Sequence, residues 1–470
     1  MQRREFLAAA AAGASAAPEP RFRHRGYLGW ITDLATHPDE HAAWPSMRLD
    51  ANLLQDYRDT FARMRSLGYN EISVWGLYVS RAWPVNVETA VAKDRGAMVE
   101  KLIASAHDHG IKVLSGLGVY SWGFDEILKT NPQLQKGNPR AMCASEAASW
   151  KWMRRIIDFV FSRFPIDGIS MQSADQGRCP CTQCSRYSHA EYHGLLNVRV
   201  SEYVRAKWPN KIIGVNSWGL RFEEPETLES LVKMSTKVDY LIDVHDSSRK
   251  RDPAYRRKII SALKCDFGTL GGPQVEPPQH WTRDRWFLPT LRRVGVHLDE
   301  LAREGGRACE FFYHILANPG DEVSFWLAGK MLADPAAGWQ KHLDTAVEQV
   351  FEAPGPSARA ELASLLLRAE DAYFRHLPPG TCGTISMEPL VSSEPGPPVY
   401  LTKRLKPEQR KQYAADLAAV SQGFAKLKDA VGRKDKIARV VRSIENVRQD
   451  ATGIRAASHA RRSPRWSGRS

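Results

Sequence analysis

Short apolar runs alternate with longer amphipathic stretches, and this alternation repeats eight times between residues 26 and 335. The apolar runs predict the following β-strands: Tyr27–Ile31, Glu71–Tyr78, Lys112–Tyr120, Gly168–Ser173, Lys211–Trp218, Tyr240–His245, Phe267–Gly271 and Ala308–His314. The stretches after them have helical period and cover 50–67, 96–109, 147–163, 195–207, 225–236, 253–263, 287–304 and 321–333. Strands separated by helices pair in parallel, because each crossover returns the chain to the same edge of the sheet. Eight such units predict a (β/α)8 TIM barrel over residues 22–335.

A doubly wound open sheet is the main alternative to the closed barrel. Sheets of that type usually carry a Gly-x-Gly-x-x-Gly turn after the first strand. The residues from Trp30 to Asp33 read Trp-Ile-Thr-Asp and contain no glycine. The sequence therefore favours the barrel.

The strand pattern ends at about residue 336, and helical periodicity replaces it up to residue 450. Helical stretches cover 337–351, 357–376 and 406–450, and a Pro/Gly-rich segment at 377–399 divides them. We expect a helical C-terminal region at 336–450 that either packs on the barrel or forms a homodimer surface. Residues 451–470 are predicted to be a basic, disordered tail.

The net charge of +13 does not indicate a nucleic-acid-binding protein once its position is known. Residues 401–470 contain 18 Lys and Arg against 6 Asp and Glu, so the barrel is nearly neutral. Nucleic-acid recognition needs a basic face or stripe. We therefore expect no nucleic-acid partner.

The first 17 residues have the features of an export signal. Arg3-Arg4 is followed by Phe6-Leu7, as in the twin-arginine motif, and a mild apolar stretch leads to the small residues Ala14-Ser15-Ala16. No apolar run approaches the ~20 residues that a membrane-spanning helix needs. The sequence thus predicts a cleaved twin-arginine signal peptide at 1–17, no membrane span, and a periplasmic or extracellular location.

Polar residues cluster where the predicted strands end, and barrel active sites lie at the C-terminal ends of strands. Apolar Ile242 and Val244 are expected to face the helices, which would turn Asp243 and His245 toward the barrel axis. Applied to the other strands, the same reasoning gives this set for the barrel mouth: Trp75, Gln172, Asp175, Arg178, Asn216, Trp218, Asp243, His245, Glu310 and His314.

Carboxyl groups in a barrel mouth are costly to desolvate unless they are paired or used. We therefore predict that Asp175, Asp243 and Glu310 supply the catalytic carboxyls. Structural alternatives exist, because a strand-end Asp often caps the next helix and Glu310 could pair with a neighbouring Lys or Arg. The polar residues predicted to contact substrate are Gln172, Arg178, Asn216, His245 and His314.

Aromatic residues concentrate at the same strand ends, in a chain with 14 tryptophans. Aromatic rings stack on the apolar C–H faces of sugars while nearby amides and carboxylates bind the hydroxyls. This combination predicts a carbohydrate substrate. The aromatic residues assigned to substrate binding are Trp30, Trp75, Tyr120, Trp122 and Trp218.

Cys179, Cys181 and Cys184 directly follow the fourth strand. Three thiols at this spacing can hold a structural zinc ion, with His189 or His193 as the fourth ligand. In an oxidising compartment a disulfide from this cluster, for example to Cys143, fits equally well. No other cofactor is expected.

With these residues in place, the chain resembles exported β/α-barrel glycoside hydrolases. The similar segments are Ile169–Asp175 and the Cys-x-Cys-x-x-Cys run, and the group includes family 20 hexosaminidases, α-glucuronidase-type barrels and other bacterial barrels. The resemblance implies hydrolysis of glycosidic bonds. Family 20 enzymes carry an Asp-Glu pair at this strand end, whereas this chain has Asp175-Gln176. Because glutamine cannot donate the proton, the acid must be Asp175 or another carboxyl.

Together these features predict a secreted or periplasmic glycoside hydrolase that acts on an oligo- or polysaccharide with a pair of carboxylates. The first alternative is a metal-dependent sugar isomerase, epimerase or hydrolase with His245, Asp243, Glu310 and His314 around the metal. The second is a barrel that binds carbohydrate without turnover.

Overall fold

The structure of this chain is a computed structural model. It describes residues 21–30, 49–79, 82–91, 93–173, 176–217, 220, 222, 224, 226–244, 246, 248, 253–271, 287–311, 318–377, 401 and 405–453. The predicted signal peptide and residues 454–470 of the predicted tail lie outside the described residues, so both stay predictions. Residues 451 and 452 of that tail are helical.

Eight parallel strands close into a barrel in their order along the chain. Each strand pairs with the next, and the last pairs with the first. The strands are β1 His24–Trp30, β2 Glu71–Trp75, β3 Lys112–Gly118, β4 Gly168–Gln172, β5 Ile212–Asn216, β6 Tyr240–Asp243, β7 Asp266–Gly271 and β8 Ala308–Phe311. The predicted (β/α)8 barrel is therefore confirmed, and the open-sheet alternative is wrong.

Helices connect the strands on the outside of the barrel. They are α1 Ala51–Leu67, α2 Lys93–Asp108, α3 Asp125–Thr130, α4 Ala147–Arg163, α5 Thr182–Ser185, α6 His189–Lys207, α7 Thr227–Ser235, α8 Pro253–Ala262, α9 Leu291–Arg303 and α10 Gly320–Ala333. Helix α6 begins well before the predicted residue 195, because Ser188 and Glu191 form a capping box. The backbone N–H of Ser188 donates to Glu191 (2.7 Å), and that of Glu191 donates to the Ser188 hydroxyl (3.2 Å).

Strand side chains alternate between the helical layer and the barrel interior. The helical layer shares one large hydrophobic cluster with the strand residues Ile72, Val74, Ile213, Val215, Leu241 and Phe267. A separate cluster fills the interior and contains Leu114, Tyr240, Ile242, Val244, Leu270 and Ala308. The prediction of which strand residues face the helices and which face the barrel interior is therefore right for β2 and β5 but wrong for β6. Strands of a parallel barrel are buried on both faces, so apolar character alone does not tell inside from outside.

A polar network lies inside the barrel among these apolar side chains. Glu310 accepts hydrogen bonds from the Ser73 hydroxyl (2.7 Å) and the Tyr240 hydroxyl (3.1 Å). His24 Nδ1 lies 3.1 Å from Glu71 Oε2, and its ring centroid lies 4.3 Å from that of Tyr240. Within the described residues, Glu310 Oε2 and Glu71 Oε1 are both buried without a hydrogen-bond partner. Two carboxyl groups thus share one water-poor interior.

This network gives a prediction about stability and pH. Burial raises the pKa of Glu310 to about 7, and the charge of Glu71 acts in the same direction, against the hydrogen bonds from Ser73 and Tyr240. When the pKa of a carboxyl is higher in the folded than in the unfolded state, folding takes up a proton at pH values between the two. Glu310 therefore stabilises the fold at low pH, and this stabilisation is lost as the pH rises through about 7. At about 1.4 kcal/mol per pKa unit, the loss is on the order of 3 kcal/mol.

Glu310→Gln is expected to flatten the fall of the unfolding free energy between about pH 5 and pH 8, because glutamine does not titrate. Urea unfolding at several pH values in this window measures the effect as the difference between wild type and variant. Burial also raises the pKa of Glu370 to about 7. Its contribution to the pH dependence of stability is the same in both proteins. Parallel pH profiles for the two proteins would contradict the prediction.

The described residues after the barrel include the helices α11 Trp339–Phe351, α12 Pro356–Phe374, α13 Pro407–Lys426 and α14 Lys434–Thr452. The single helix predicted at 406–450 is thus two helices. The chain turns between them at Lys428–Ala430 and Gly432, and the Gly432 N–H donates to the Glu352 carbonyl (3.0 Å). A side chain at Gly432 would collide with Glu352.

These helices pack on the barrel, which was one of the two predicted arrangements. The Tyr413 hydroxyl donates to the Phe287 carbonyl (3.2 Å), and the rings of Phe287 and Phe424 meet edge-on at 6.1 Å. The Glu370 carboxylate accepts the backbone N–H groups of Arg292 (2.9 Å) and Arg293 (3.0 Å) at the start of α9. In the part of the chain that the structure describes, no helix is long and apolar enough to cross a membrane.

Candidate functional site

The candidate site is the mouth of the barrel at the C-terminal ends of the strands. Four predicted site residues, Asp175, Trp218, His245 and His314, lie outside the described residues. The same holds for the side chain of Trp30, whose backbone ends β1. Their assignments stay predictions. The other predicted residues can be placed.

Two tryptophans meet at the mouth end of β2 and β3. The indole rings of Trp75 and Trp122 pack edge-on with centroids 5.1 Å apart, and Leu28 of β1 joins them. The Trp75 ring lies flat over β3, where a Cβ added to Gly116 would come within 2.4 Å of it. Trp75 is 2 % exposed, whereas Trp122 is half-buried. Trp122 therefore presents accessible aromatic surface, and Trp75 supports it from below.

The turn after β3 holds Trp122 in an unusual backbone conformation. Tyr120 (φ +62°), Trp122 (φ +67°) and Gly123 (φ +86°) all lie in the left-handed region, which costs a non-glycine residue about 1–2 kcal/mol. The turn folds back so closely that a Cβ on Gly118 would lie 2.3 Å from the Trp122 carbonyl. Backbone strain of this kind concentrates at functional sites.

Tyr120 itself belongs to the core of this turn. It is 1 % exposed, and its hydroxyl accepts a hydrogen bond from Arg199 (3.3 Å). Burial raises the pKa of the phenol to about 12, although Arg199 acts in the opposite direction. Because Tyr120 has almost no accessible surface, the structure gives no support to its predicted contact with substrate.

Two buried amide residues end the next two strands at the mouth end of the barrel. Gln172 ends β4 and Asn216 ends β5, each with the inward parity that the sequence predicts. Arg178 lies further along the loop after β4 and donates to the Tyr187 carbonyl (2.7 Å). It thus braces the loop from the side, and its predicted interaction with a substrate carboxylate or the catalytic acid stays a prediction.

The prediction that Asp243 points to the barrel axis is wrong. Its neighbour Leu241 shows that odd positions of β6 face the helices, and its register partner Thr269 contacts His297 of α9 (2.6 Å). Asp243 accepts the backbone N–H of Ser248 (2.8 Å). Its assignment to catalysis depended on inward parity and loses that basis.

Glu310 lies inside the barrel, as its parity predicted, but below the mouth. Its hydrogen-bond partner Ser73 precedes Trp75, the last residue of β2, by two positions, so Glu310 is held one layer below the mouth end of that strand. Glu310 is 1 % exposed. The alternative that it pairs with Lys or Arg is also not what the structure shows, since its two partners are hydroxyls. The catalytic role of Glu310 stays a prediction, and its carboxyl group is not accessible to solvent.

The three predicted cysteines converge with a fourth. Cys143, from the segment between α3 and α4, places its Sγ 3.6 Å from that of Cys181 and 3.9 Å from that of Cys184. With Cys179 included, all four sulfur atoms lie within 4.8 Å of one another. Neither His189 nor His193 belongs to this group, so the predicted histidine ligand is wrong. All six cysteines among the described residues are free thiols.

Cys181 is a cluster thiol whose pKa is lowered. Burial opposes its ionisation, but hydrogen bonds from the Cys184 backbone and from Ser145 outweigh burial and lower its pKa to about 6. Burial raises the pKa values of Cys179 and Cys184.

Sequence reasoning missed a buried ion-pair hub beside the mouth. Arg256 of α8 is fully buried and donates to Asp246 (2.6 Å) and to Glu304. His297 Nδ1 lies 3.8 Å from the second oxygen of Asp246. The hub fixes the loop after β6, where Asp246 itself has φ +47°.

Comparison with known proteins finds similar structures but no similar sequences. No family model matches the chain, and no curated protein matches it. Solved structures do match. One is a family 138 glycoside hydrolase that targets pectin rhamnogalacturonan II, with a TM-score of 0.57 and 10% identity over 92% of this chain and 57% of that chain. Another is an O-GlcNAc hydrolase variant from Thermobaculum terrenum, with a TM-score of 0.50 and 12% identity over 90% of this chain and 82% of that one.

At these identities the likeness establishes the fold. The chain spans a little over half the length of the family 138 enzyme, so that enzyme's activity is not carried over as a whole. What the comparison and the strand topology show together is a (β/α)8 barrel with C-terminal helices, built like the barrels of these two glycoside hydrolases.

Proposed function

We propose that this protein is a secreted or periplasmic glycoside hydrolase that binds an oligo- or polysaccharide across the barrel mouth. The observation that carries the proposal is the Trp75–Trp122 pair, with the amides of Gln172 and Asn216 at the same end of the barrel. The two structurally similar enzymes, both glycoside hydrolases, support it by analogy of fold.

The chemistry of the mouth suits a sugar ring. An exposed indole face stacks on the C–H face of a pyranose, and amide groups donate to and accept from hydroxyls at fixed positions. The supporting ring of Trp75 and the strained turn hold Trp122 in place before substrate arrives, so little conformational freedom is lost on binding.

For the chemical step we assign one carboxyl, Asp175, which follows the end of β4 by three residues. Glycosidic hydrolysis needs one carboxyl near the leaving oxygen and a second on the opposite face of the sugar. Asp243 faces the helices, and Glu310 is buried inside the barrel against Ser73, so neither is assigned as the second carboxyl.

Trp122→Ala tests the substrate site. On a glycan that the wild type hydrolyses, we expect KM to rise about tenfold, with a smaller change in kcat. A tenfold change corresponds to the loss of ~1.4 kcal/mol of stacking free energy. Trp152→Ala is the matched control, because Trp152 lies on the outer helix α4 against Arg155. A screen for released reducing sugar across neutral, acidic and N-acetylated glycans identifies the responsive substrate.

The outcomes of the screen separate the three functions. Tight glycan binding without turnover would replace the proposal with a non-catalytic binding barrel. Activity that is lost with a divalent metal and returns with it would favour the isomerase alternative. The structure disfavours that alternative, since Asp243 and Glu310 lie on opposite faces of the barrel wall and cannot bind one ion together. Export is checked by N-terminal sequencing of periplasmic protein, which should begin near Ala17.

A further inference from the structure

Cys143, Cys179, Cys181 and Cys184, here called the four-cysteine cluster, have no part in the proposed hydrolysis. Cys143, Cys179 and Cys184 are at most 2 % exposed, and Cys181 is half-buried. Among the described residues this is the one group of three or more His, Cys, Asp or Glu side chains whose ligand atoms converge. Its members come from two loops that are far apart in sequence.

The spacing of the sulfur atoms fits a single tetrahedral ion. Zinc–sulfur bonds of about 2.3 Å in a tetrahedron place the sulfurs about 3.8 Å apart. The separations of 3.6 Å and 3.9 Å from Cys143 bracket that value. A disulfide needs about 2.05 Å, and the pairs are well beyond it. We propose that the four-cysteine cluster binds one Zn²⁺ ion.

The surroundings of the cluster fit a thiolate site better than four buried thiols. The Cys181 backbone N–H points to Cys179 Sγ (3.4 Å), and the Ser145 hydroxyl lies 2.9 Å from Cys143 Sγ and 3.6 Å from Cys181 Sγ. Donors of this kind orient thiolate ligands and offset their charge. The Lys136 ammonium nearby is paired with Glu146 (3.1 Å), and the Lys136 carbonyl lies 3.7 Å from Cys179 Sγ.

Four protein ligands leave no open coordination position, so the ion has a structural role. It joins the segment before α4 to the loop after β4, which other contacts already hold together. The Asn138 amide donates to the carbonyls of Gln176 (3.0 Å) and Arg178 (3.2 Å), and Pro180 lies against Gly137. Asp175 is four residues from Cys179, so the metal anchors the loop that carries the assigned carboxyl.

Elemental analysis of protein purified without chelator tests the site, beside thiol titration of the native and denatured protein. We expect one zinc per chain in the wild type and in the Cys265→Ser control, whose half-buried cysteine lies outside the cluster. Cys143→Ser should retain less than about a tenth of that zinc, because one ligand is lost. Intact mass under native redox conditions should show no disulfide among the four cysteines.

A second measurement does not depend on a variant that folds. Chelation of the wild type should raise the rate of tryptic cleavage after Arg178 and Arg186 by about tenfold or more, since the loop then opens locally. Added Co²⁺ should restore protection and give the absorption of a tetrahedral tetrathiolate complex. Disulfides within the cluster, or four freely titratable thiols without metal, would overturn the proposal. Neither result bears on glycan hydrolysis, so the two proposals fail separately.

Discussion

Asp175→Asn is expected to lower kcat on a responsive glycan by about 10²–10⁴-fold, with KM nearly unchanged, because asparagine can neither donate nor accept the catalytic proton. In the sequence, Asp175 follows Gln172, the last residue of β4, by three positions. The size and polarity of the side chain are conserved, so substrate binding by Trp122 and the amides should persist. Initial rates over a range of substrate concentrations separate kcat from KM.

Asp299→Asn is the matched control for this variant. Asp299 is on the outer helix α9, half-exposed, and paired only to Arg303 one turn later. It should keep wild-type kinetics. Full turnover by a natively folded Asp175→Asn protein would remove Asp175 from the mechanism, while the substrate site could still be tested through Trp122.

Arg256→Met is expected to cost about 3–5 kcal/mol of unfolding free energy, the range measured when one member of a buried ion pair is removed. The guanidinium is fully buried between Asp246 and Glu304, and its loss removes the positive charge that pairs with both carboxylates. Urea or thermal unfolding measures the change, with an unaltered m-value as evidence that the same structure unfolds.

Two further proteins separate the ion pair from lost packing. Arg303→Met removes an exposed arginine that pairs with Asp299, and should cost less than about 1 kcal/mol. Adding Asp246→Asn and Glu304→Gln to Arg256→Met should recover part of the loss, because neutral amides need no counter-ion. If the triple variant is no more stable than Arg256→Met, packing and not charge accounts for the effect.

The repeat of strands and helices was sufficient to predict the barrel, because period and order along the chain determine it. The faces of the strands were harder. On β5, Gly214 and Asn216 stand out from Ile213 and Val215, and the inward face could be identified. On β6 every residue from Tyr240 to Ile242 is apolar or aromatic, and the deciding feature is the pairing of Tyr240 with Glu310 across the barrel. Such long-range pairings leave no periodic signal in sequence.

The candidate site shows the same division between local and distant signals. The three cysteines after β4 were visible as a motif, whereas Cys143 is a lone cysteine 36 residues before Cys179 that only the folded chain brings to them. The Trp75–Trp122 pair was visible as aromatics near strand ends. The geometry of the pair could not be predicted, because a left-handed φ at Tyr120 and Trp122 goes against the backbone preference of both residue types.

The contact between Glu370 and α9 bears on how the chain reaches its native state. The first turn of a barrel helix has its N–H groups satisfied by a carboxylate 77 and 78 residues later in sequence, on α12. Contacts of such separation lengthen the loops that must close before the native structure is stable, and so raise contact order. A nascent chain that has left the ribosome only as far as β8 has every strand of its sheet but not the contacts that finish α9. We therefore expect the barrel and the helices after it to fold as one cooperative unit, although the sequence pattern changes at their junction.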